Sequence, residues 1–258
     1  MCLLAVVFRS HPDAALIVAA NRDEWLARPA SPTRVLRADH PRILGGRDEE
    51  AHGTWLAVSE RGLVAGLTNQ PTPHGRNPSK KSRGLLPLML ANHATAEAAV
   101  KAFAEQVRSP EYNPCWMMVG DRRSLYYLDV TTRGIPGVRE LGPGTWVLEN
   151  RPLEAPSAKA DWVRGALQAA PTWRGKTLVD NLGLLMRSHI VPDEEGALEP
   201  WRPITTRAAC VHAGPYGTRS STLALVPNDR HRRPDVWVAD GPPCTVAYTR
   251  QNRLWQGP

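Results

Sequence analysis

The chain has 258 residues, with 32 Lys and Arg against 25 Asp and Glu, for a formal net charge of +7. Its hydrophobic share of 42% and charged share of 22% are typical of a folded globular protein. The sequence contains no apolar run of ~18 residues, which excludes a transmembrane helix. The N-terminal apolar run ends at Arg9 with no basic segment before it, so we expect no secretory signal and a cytoplasmic location.

The basic residues do not form one stripe. Their densest runs are 80–83 and 230–233, and no nucleic-acid-binding module accompanies them, so we expect no nucleic-acid partner. A positive field can instead attract anionic small molecules. The four cysteines have no CxxC spacing and the eight histidines no HExxH spacing, so we expect neither a disulfide framework, nor a metal site, nor a cofactor.

The first half of the chain is predicted to be mainly strands. Short apolar runs separated by turn residues predict two hairpins, 3–8 with 15–20 and 54–60 with 63–69. The Pro-, Gly- and Lys-rich stretch 71–82 predicts a loop. Helix-forming composition follows over 83–107, where a break near His93 and an N-cap at Thr95 are expected.

The second half mixes strands and helices. This order lacks the regular alternation of a doubly wound sheet and favours an α+β fold with antiparallel sheets and helices packed outside, in one domain over 1–258. The predicted strands are 115–120, 124–130, 145–150, 221–226, 235–240 and 244–249; the predicted helices are 158–170 and 176–188, with a loop over 192–203.

The first hairpin brings Cys2 next to a polar cluster. If 3–8 and 15–20 pair around their turn, facing residue numbers sum to about 22 or 23, which places Cys2 beside Asn21, Arg22 and Asp23. Removal of Met1 would leave Cys2 with both a thiol and an α-amine, whose pKa of ~8 suits it to act as a general base. From position alone, Cys2 is also compatible with an inert strand residue, and the NRDE cluster with a surface salt-bridge turn.

Several motifs along the chain resemble one family. They are MC at 1–2, NRDE at 21–24, GGRD at 45–48, GTWLAVSERGLVAGLTN at 53–69, SRGLL at 82–86, LENRPLEAPSAK at 148–159 and YGTRSST at 216–222. In this order they resemble the NRDE family, also called the transport and Golgi organization protein 2 family. That family in turn resembles the N-terminal-nucleophile (Ntn) hydrolases of the penicillin V acylase and bile salt hydrolase branch, which implies a four-layer αββα sandwich.

The resemblance implies a set of roles. Cys2 resembles the nucleophile, Asp23 the residue that holds its α-amine, and Arg22 the arginine near the thiol. Asn69 resembles the oxyanion-hole asparagine, Asn150 a second asparagine, and Arg219 the late arginine beside the nucleophile. The substrate-binding residues expected around them are Asn21, Glu24, Trp55, Thr68 and Tyr216.

Two functions remain open at this point. The first is an N-terminal cysteine amidohydrolase or acyltransferase acting on an amide or thioester of a small acyl-containing molecule. The second is a non-catalytic carrier of a lipid, acyl-CoA or haem on the same fold, since the resemblance implies links to lipid metabolism and haem homeostasis. Neither function requires stable membrane insertion, and the sequence leaves the oligomeric state open.

Overall fold

The computed structural model describes residues 2–72, 75–193 and 204–256. Its strands form two antiparallel sheets. The described strands are β1 (Cys2–Phe8), β2 (Ala14–Trp25), β3 (Ala30–Arg37), β4 (Ile43–Asp48), β5 (Leu56–Ser59), β6 (Val64–Asn69), β7 (Cys115–Gly120), β8 (Leu125–Asp129), β9 (Gly137–Leu141), β10 (Gly144–Leu148), β11 (His212–Ala213), β12 (Tyr216–Pro227), β13 (Asp235–Ala239) and β14 (Thr249–Arg250).

The two sheets differ in how far apart their strands lie in the chain. The first sheet has the order β10-β1-β2-β12-β13-β14, with β11 paired to β12, so it joins both ends of the chain. The second runs β3-β4-β5-β6-β7-β8-β9 in sequence order, as a meander. The central strands β1 and β2 of the first sheet are buried on both faces, which explains their continuous apolar sequences.

Helices cover the outer face of each sheet. The described α-helices are α1 (Leu85–Ala91), α2 (Ala96–Gln106), α3 (Ala158–Ala166) and α4 (Gly175–Met186). The pair α1 and α2 shares a buried cluster with the second sheet, and α3 and α4 share one with the first, while a third cluster fills the space between the sheets. This is the four-layer αββα sandwich that the family resemblance implied.

The two-residue period of β1 determines which layer each side chain reaches. Leu4 and Val6 point between the sheets, whereas Leu3 and Ala5 point towards α3 and α4. Because successive strand side chains alternate, Cys2 falls on the inter-sheet face, at the end of the sandwich.

Most predicted elements are present, with two kinds of difference. Both hairpins are found, and Thr95 caps α2 by accepting from the Ala98 N–H. Four described strands were missed, β3, β4, β9 and β11. Polar residues and irregular register weaken the alternation of the first three, and β11 has only two residues. The predicted strand 244–249 is wrong, since only Thr249 lies in a strand.

Two further expectations concern the described range of the chain. The predicted loop over 192–203 falls, beyond Asp193, outside the described residues. Among the residues that are described, no helix is both long and apolar enough to cross a membrane.

Candidate active site

The site begins with the register of the first hairpin. Cys2 pairs with Arg22 and Leu3 with Asn21, so facing numbers sum to 24, slightly more than the sequence analysis expected. Cys2 nevertheless lies beside the predicted cluster. Its main-chain N–H donates to Asn150 Oδ1 at 3.0 Å. Removal of Met1 would convert this nitrogen to an α-amine, and Asn150 would then be its buried hydrogen-bond acceptor.

Strand alternation separates the charged residues of the NRDE motif. Arg22 shares the inter-sheet face with Cys2, where its guanidinium lies 4.4 Å from the centre of the Trp55 ring and 3.4 Å from Asp48 Oδ2. Its Nη1 atom is buried and has no hydrogen-bond partner among the described residues. A buried guanidinium N–H without a partner is costly, so this atom is a ready donor for a bound anionic or carbonyl oxygen.

Asp23 points to the opposite, helix-covered side. Its Oδ1 accepts from the Thr218 hydroxyl at 2.6 Å, and its main-chain carbonyl accepts from the Tyr216 hydroxyl at 2.8 Å. Burial raises the pKa of the Asp23 carboxyl, while the buried Lys159 ammonium favours the charged form. Sequence reasoning identified neither Thr218 nor Lys159, although both lie within motifs that it quoted.

Asn150 links two strand ends. Its Oδ1 accepts from the Cys2 N–H, and its Nδ2 donates to the Asn69 carbonyl. With both polar atoms engaged, the Asn150 side chain is arranged to position the N-terminus. Asn69 lines the cavity in front of Cys2.

The thiol lies in a strongly desolvated setting. Burial raises the pKa of the Cys2 thiol, whereas the Asp23 main-chain N–H and the Arg22 charge act in the opposite direction. Burial likewise lowers the pKa of the Arg22 guanidinium. Desolvation of this kind strengthens each remaining electrostatic interaction around the thiol.

A continuous cleft opens in front of Cys2. A cavity of about 230 Å³ lined by Cys2, Arg22 and Trp55 adjoins one of about 520 Å³. The smaller cavity is lined by charged groups such as Glu24 and Asp48, and the larger by Tyr216 and other apolar surface. The residues lining both cavities are Trp25, Asn69, Arg76, Arg83 and Asn113.

Four predicted residues do not line this cleft: Asp23, described above, and the three that follow. Asn21 points to the helix side, where its Nδ2 donates to the carbonyls of Met186 and Ala209, both at 2.8 Å. Thr68 is fully buried in β6. Arg219 lies at a register shift in β12, and its Nη1 donates to the carbonyls of the 25–28 turn, so it holds the turn that carries Trp25.

Arg83 is a cleft residue that sequence reasoning did not assign. It lines both cavities, and its Nη1 donates to the Pro114 carbonyl at 3.1 Å. Burial lowers the pKa of its guanidinium. Arg83 lies in the quoted SRGLL stretch, directly before a helix that packs on the second sheet. That position was the sequence feature that could have identified it as a cleft residue.

Comparison with known proteins places this architecture in a family. Residues 1–233 match the family described as Transport and Golgi organisation 2. The Transport and Golgi organization protein 2 homolog of Bos taurus is 31% identical over 255 residues, covering 90% of each chain. Two solved structures show the same fold. A conjugated bile acid hydrolase of Clostridium perfringens has a TM-score of 0.53 at 13% identity, covering 100% of this chain and 95% of its own.

The second solved structure is the Caenorhabditis elegans ortholog of N-acylethanolamine-hydrolyzing acid amidase, with a TM-score of 0.50 at 13% identity. The match covers 87% of this chain and 92% of that chain. These two structures show that the chain has the Ntn-hydrolase-like sandwich fold. The sequence matches show that the chain belongs to the Transport and Golgi organisation 2 family.

Proposed function

We propose that this protein is an N-terminal cysteine acyl hydrolase or acyltransferase that cleaves an amide or thioester bond of a small molecule with an apolar acyl group. The observation that carries the proposal is the 3.0 Å hydrogen bond from the Cys2 nitrogen to Asn150 Oδ1, at the inner end of a cleft. An N-terminal nucleophile needs its amine held in place while its thiol faces the substrate, and this contact supplies the anchor.

The reaction has two balanced steps. Once Met1 is removed, the Cys2 amine takes the thiol proton, the sulfur attacks the carbonyl carbon, and an S–C bond forms. The bond to the leaving group breaks as that group takes the proton from the ammonium. Water, or another acceptor, then attacks the thioester with the amine as base and releases the acyl group and free thiol.

Charge on the carbonyl oxygen needs donors in the cleft. Asn69 lines the cavity, and Arg22 Nη1 is buried there without a partner among the described residues. A single preorganised donor of this kind stabilises an oxyanion transition state by roughly 3–4 kcal/mol. Arg22 also favours the thiolate that attacks.

The cleft supports an amphipathic substrate. The cavity of about 520 Å³ is in the range that encloses a small organic ligand, and Trp25 packs edge-on against Tyr216 at its wall, with ring centres 5.7 Å apart. Arg76 and Arg83 lie where the two cavities meet. An apolar acyl group fits the larger cavity, and an anionic group fits beside these arginines.

The first test is the intact mass and N-terminal sequence of the untagged protein. We expect a chain that begins at Cys2 and that gains the mass of an acyl group when mixed with acyl-CoA thioesters or acyl nitroanilides of graded length. Cys2→Ala should abolish both turnover and the adduct, while Cys115→Ala, another buried cysteine, should keep them. A chain that retains Met1, or full turnover by Cys2→Ala, would refute the proposal.

The same cleft favours one alternative, a carrier of a lipid, acyl-CoA or haem. The supporting observation is the combination of an apolar cavity with Arg76 and Arg83 at its inner end. Haemin titration and calorimetry with long-chain acyl-CoA distinguish the two. A carrier binds one of these ligands saturably and equally well in Cys2→Ala, with no turnover by the wild type, and loses binding in Arg83→Gln.

A further inference from the structure

A second group of reactive side chains lies away from the Cys2 cleft. His189, Cys210, His212 and Cys244 place one nitrogen or sulfur atom each within 4.8 Å of all the others. The four residues come from three parts of the chain: the segment after α4, the segment that leads into β11, and the loop between β13 and β14. None of them lines the cleft.

We propose that these four side chains form a structural zinc site of the Cys2His2 type. Two thiolates and two imidazoles make up the ligand set that tetrahedral Zn²⁺ prefers. Binding converts both thiols to thiolates and releases two protons to solvent, so the bound ion and its ligands are neutral together. Four protein ligands leave no open position for a substrate, so the site is structural.

The distances between the donor atoms fit a tetrahedron. With Zn–S bonds of about 2.3 Å, two zinc-bound sulfurs lie about 3.8 Å apart. The Cys210 and Cys244 sulfurs are 3.7 Å apart, far beyond the roughly 2.0 Å of a disulfide. His212 Nε2 lies 3.2 Å from the Cys244 sulfur and 3.9 Å from the Cys210 sulfur, on either side of the about 3.6 Å expected for a sulfur and a nitrogen on one zinc.

The histidines are oriented as ligands. His189 Nδ1 lies 3.0 Å from the Cys210 carbonyl oxygen, which can only accept, so Nδ1 carries the proton and Nε2 presents its lone pair. A hydrogen bond from the non-ligating nitrogen to a carbonyl is the usual support of a metal-bound histidine. The His189 and His212 rings lie side by side, with centres 4.9 Å apart.

The backbone holds the three segments in place. Cys210 and His212 are separated by one residue, and their side chains converge, with the Cys210 sulfur 3.9 Å from His212 Nε2. The Cys210 N–H donates to the Ser188 carbonyl at 2.9 Å, which ties the His189 segment to the strand. Cys244 lies in a turn in which the Thr245 and Val246 N–H groups both donate to the Pro242 carbonyl.

This site departs from the sequence expectation of no metal. Its ligands are far apart in the chain and their only short spacing is Cys-x-His, so no metal motif is visible in the sequence. The fold alone assembles them.

The segments that contain the proposed zinc ligands make hydrogen bonds to residues next to Asp23. Ala209 and Met186, whose carbonyls accept from Asn21 Nδ2, each lie close in sequence to a proposed ligand. Between Cys210 and His212, the Val211 N–H donates to the Thr218 hydroxyl that reaches Asp23. Zinc would thus fix the segment behind the candidate active site without taking part in chemistry.

The test is the zinc content of the full chain purified without a histidine tag. We expect about one zinc per chain, and a cobalt(II)-substituted protein with intense visible bands of a tetrahedral, thiolate-bound ion. Cys244→Ser and His212→Ala should lower zinc affinity by more than the roughly 10–100-fold that loss of a supporting contact costs. The matched controls Cys115→Ala and His231→Ala, and also Cys2→Ala, should keep their zinc.

Two results would overturn the proposal. One is unchanged zinc content in both Cys244→Ser and His212→Ala. The other is a folded wild-type chain with Cys210 and Cys244 reduced that binds neither zinc nor cobalt(II) added in excess. Should the variants fail to fold, wild-type alkylation decides: bound zinc should protect Cys210 and Cys244 from iodoacetamide, whereas equal labelling with and without zinc contradicts the site.

Discussion

The Thr218 hydroxyl donates to Asp23 Oδ1 at 2.6 Å, and the Thr218 Oγ1 atom also accepts from the Val211 N–H at 2.8 Å. One hydroxyl thereby joins the buried Asp23 carboxyl to the segment that contains Cys210 and His212. All of these polar atoms lie in the protein interior, since Asp23, Val211 and Thr218 are each buried.

Thr218→Val tests this link because valine keeps the shape and removes the hydroxyl. The Val211 N–H loses its acceptor and Asp23 one donor, so we expect a loss of about 1–3 kcal/mol in the free energy of unfolding. Urea unfolding measures it. Thr222→Val, on the same strand and also buried, is the control, and an equal loss in both variants would contradict the assigned role.

Gly46→Ala tests why the GGRD motif needs its second glycine. A Cβ at Gly46 would come within 2.3 Å of the Trp55 ring, which stacks on Arg22. We expect the indole to shift, with a cost of about 1–3 kcal/mol in stability and a change in tryptophan fluorescence. Gly134→Ala, where no atom lies within 4 Å of the new Cβ, should change neither, and an unchanged Gly46→Ala would refute the packing argument.

Asp23 and Asp48 should affect stability with opposite dependence on pH. Burial raises the pKa of Asp23 above its ordinary 3.8, so the folded chain binds this proton more tightly than the unfolded chain does. The contribution of protonated Asp23 to the free energy of unfolding is complete below pH 3.8 and is lost as the pH rises through the folded-state pKa of this carboxyl. The stability of Asp23→Asn relative to wild type should therefore increase over that window.

For Asp48, burial acts to raise the pKa, but the hydrogen bond from Arg28 and neighbouring donors outweigh it and lower the pKa. The contribution of ionised Asp48 to the free energy of unfolding is present above pH 3.8 and is lost as the pH falls through the folded-state pKa of this carboxyl. Asp48→Asn should thus be destabilised near neutrality and approach wild type in acid. Urea unfolding from about pH 3 to pH 7 measures both, and parallel pH curves for the two variants would contradict the assignment.

Asn150→Ala removes the anchor of the Cys2 nitrogen and of the Asn69 carbonyl together. Misplacing a reacting group by about 1 Å costs on the order of 100-fold in rate, so we expect a loss of about that size in the turnover of the processed enzyme, with the chain still folded. Steady-state kinetics measures it. Asn228→Ala removes an exposed side chain that donates to the Pro12 carbonyl and is the control; a variant at Asn150 with wild-type turnover would contradict the role.

The sequence alone was enough to determine the local features of the first hairpin. The turn after Phe8 and two apolar runs fix the pairing of β1 with β2, because contacts between neighbouring strands depend on few residues and short loops. Cys2 and the NRDE cluster had to meet for this reason. The meander β5 to β8 was predictable on the same grounds, whereas the polar edge strand β3 gave no clear period.

Only the tertiary structure decided which side chains face the cleft. Alternation along β2 places Arg22 between the sheets and Asn21 on the helix side, but which layer is which depends on how the two sheets and their helices pack. Asn150 reaches Cys2 because β10 pairs with β1, and His189, Cys210, His212 and Cys244 converge from three segments. Such long-range contacts leave no periodic signal in the sequence, because their geometry is set by the packing of the layers.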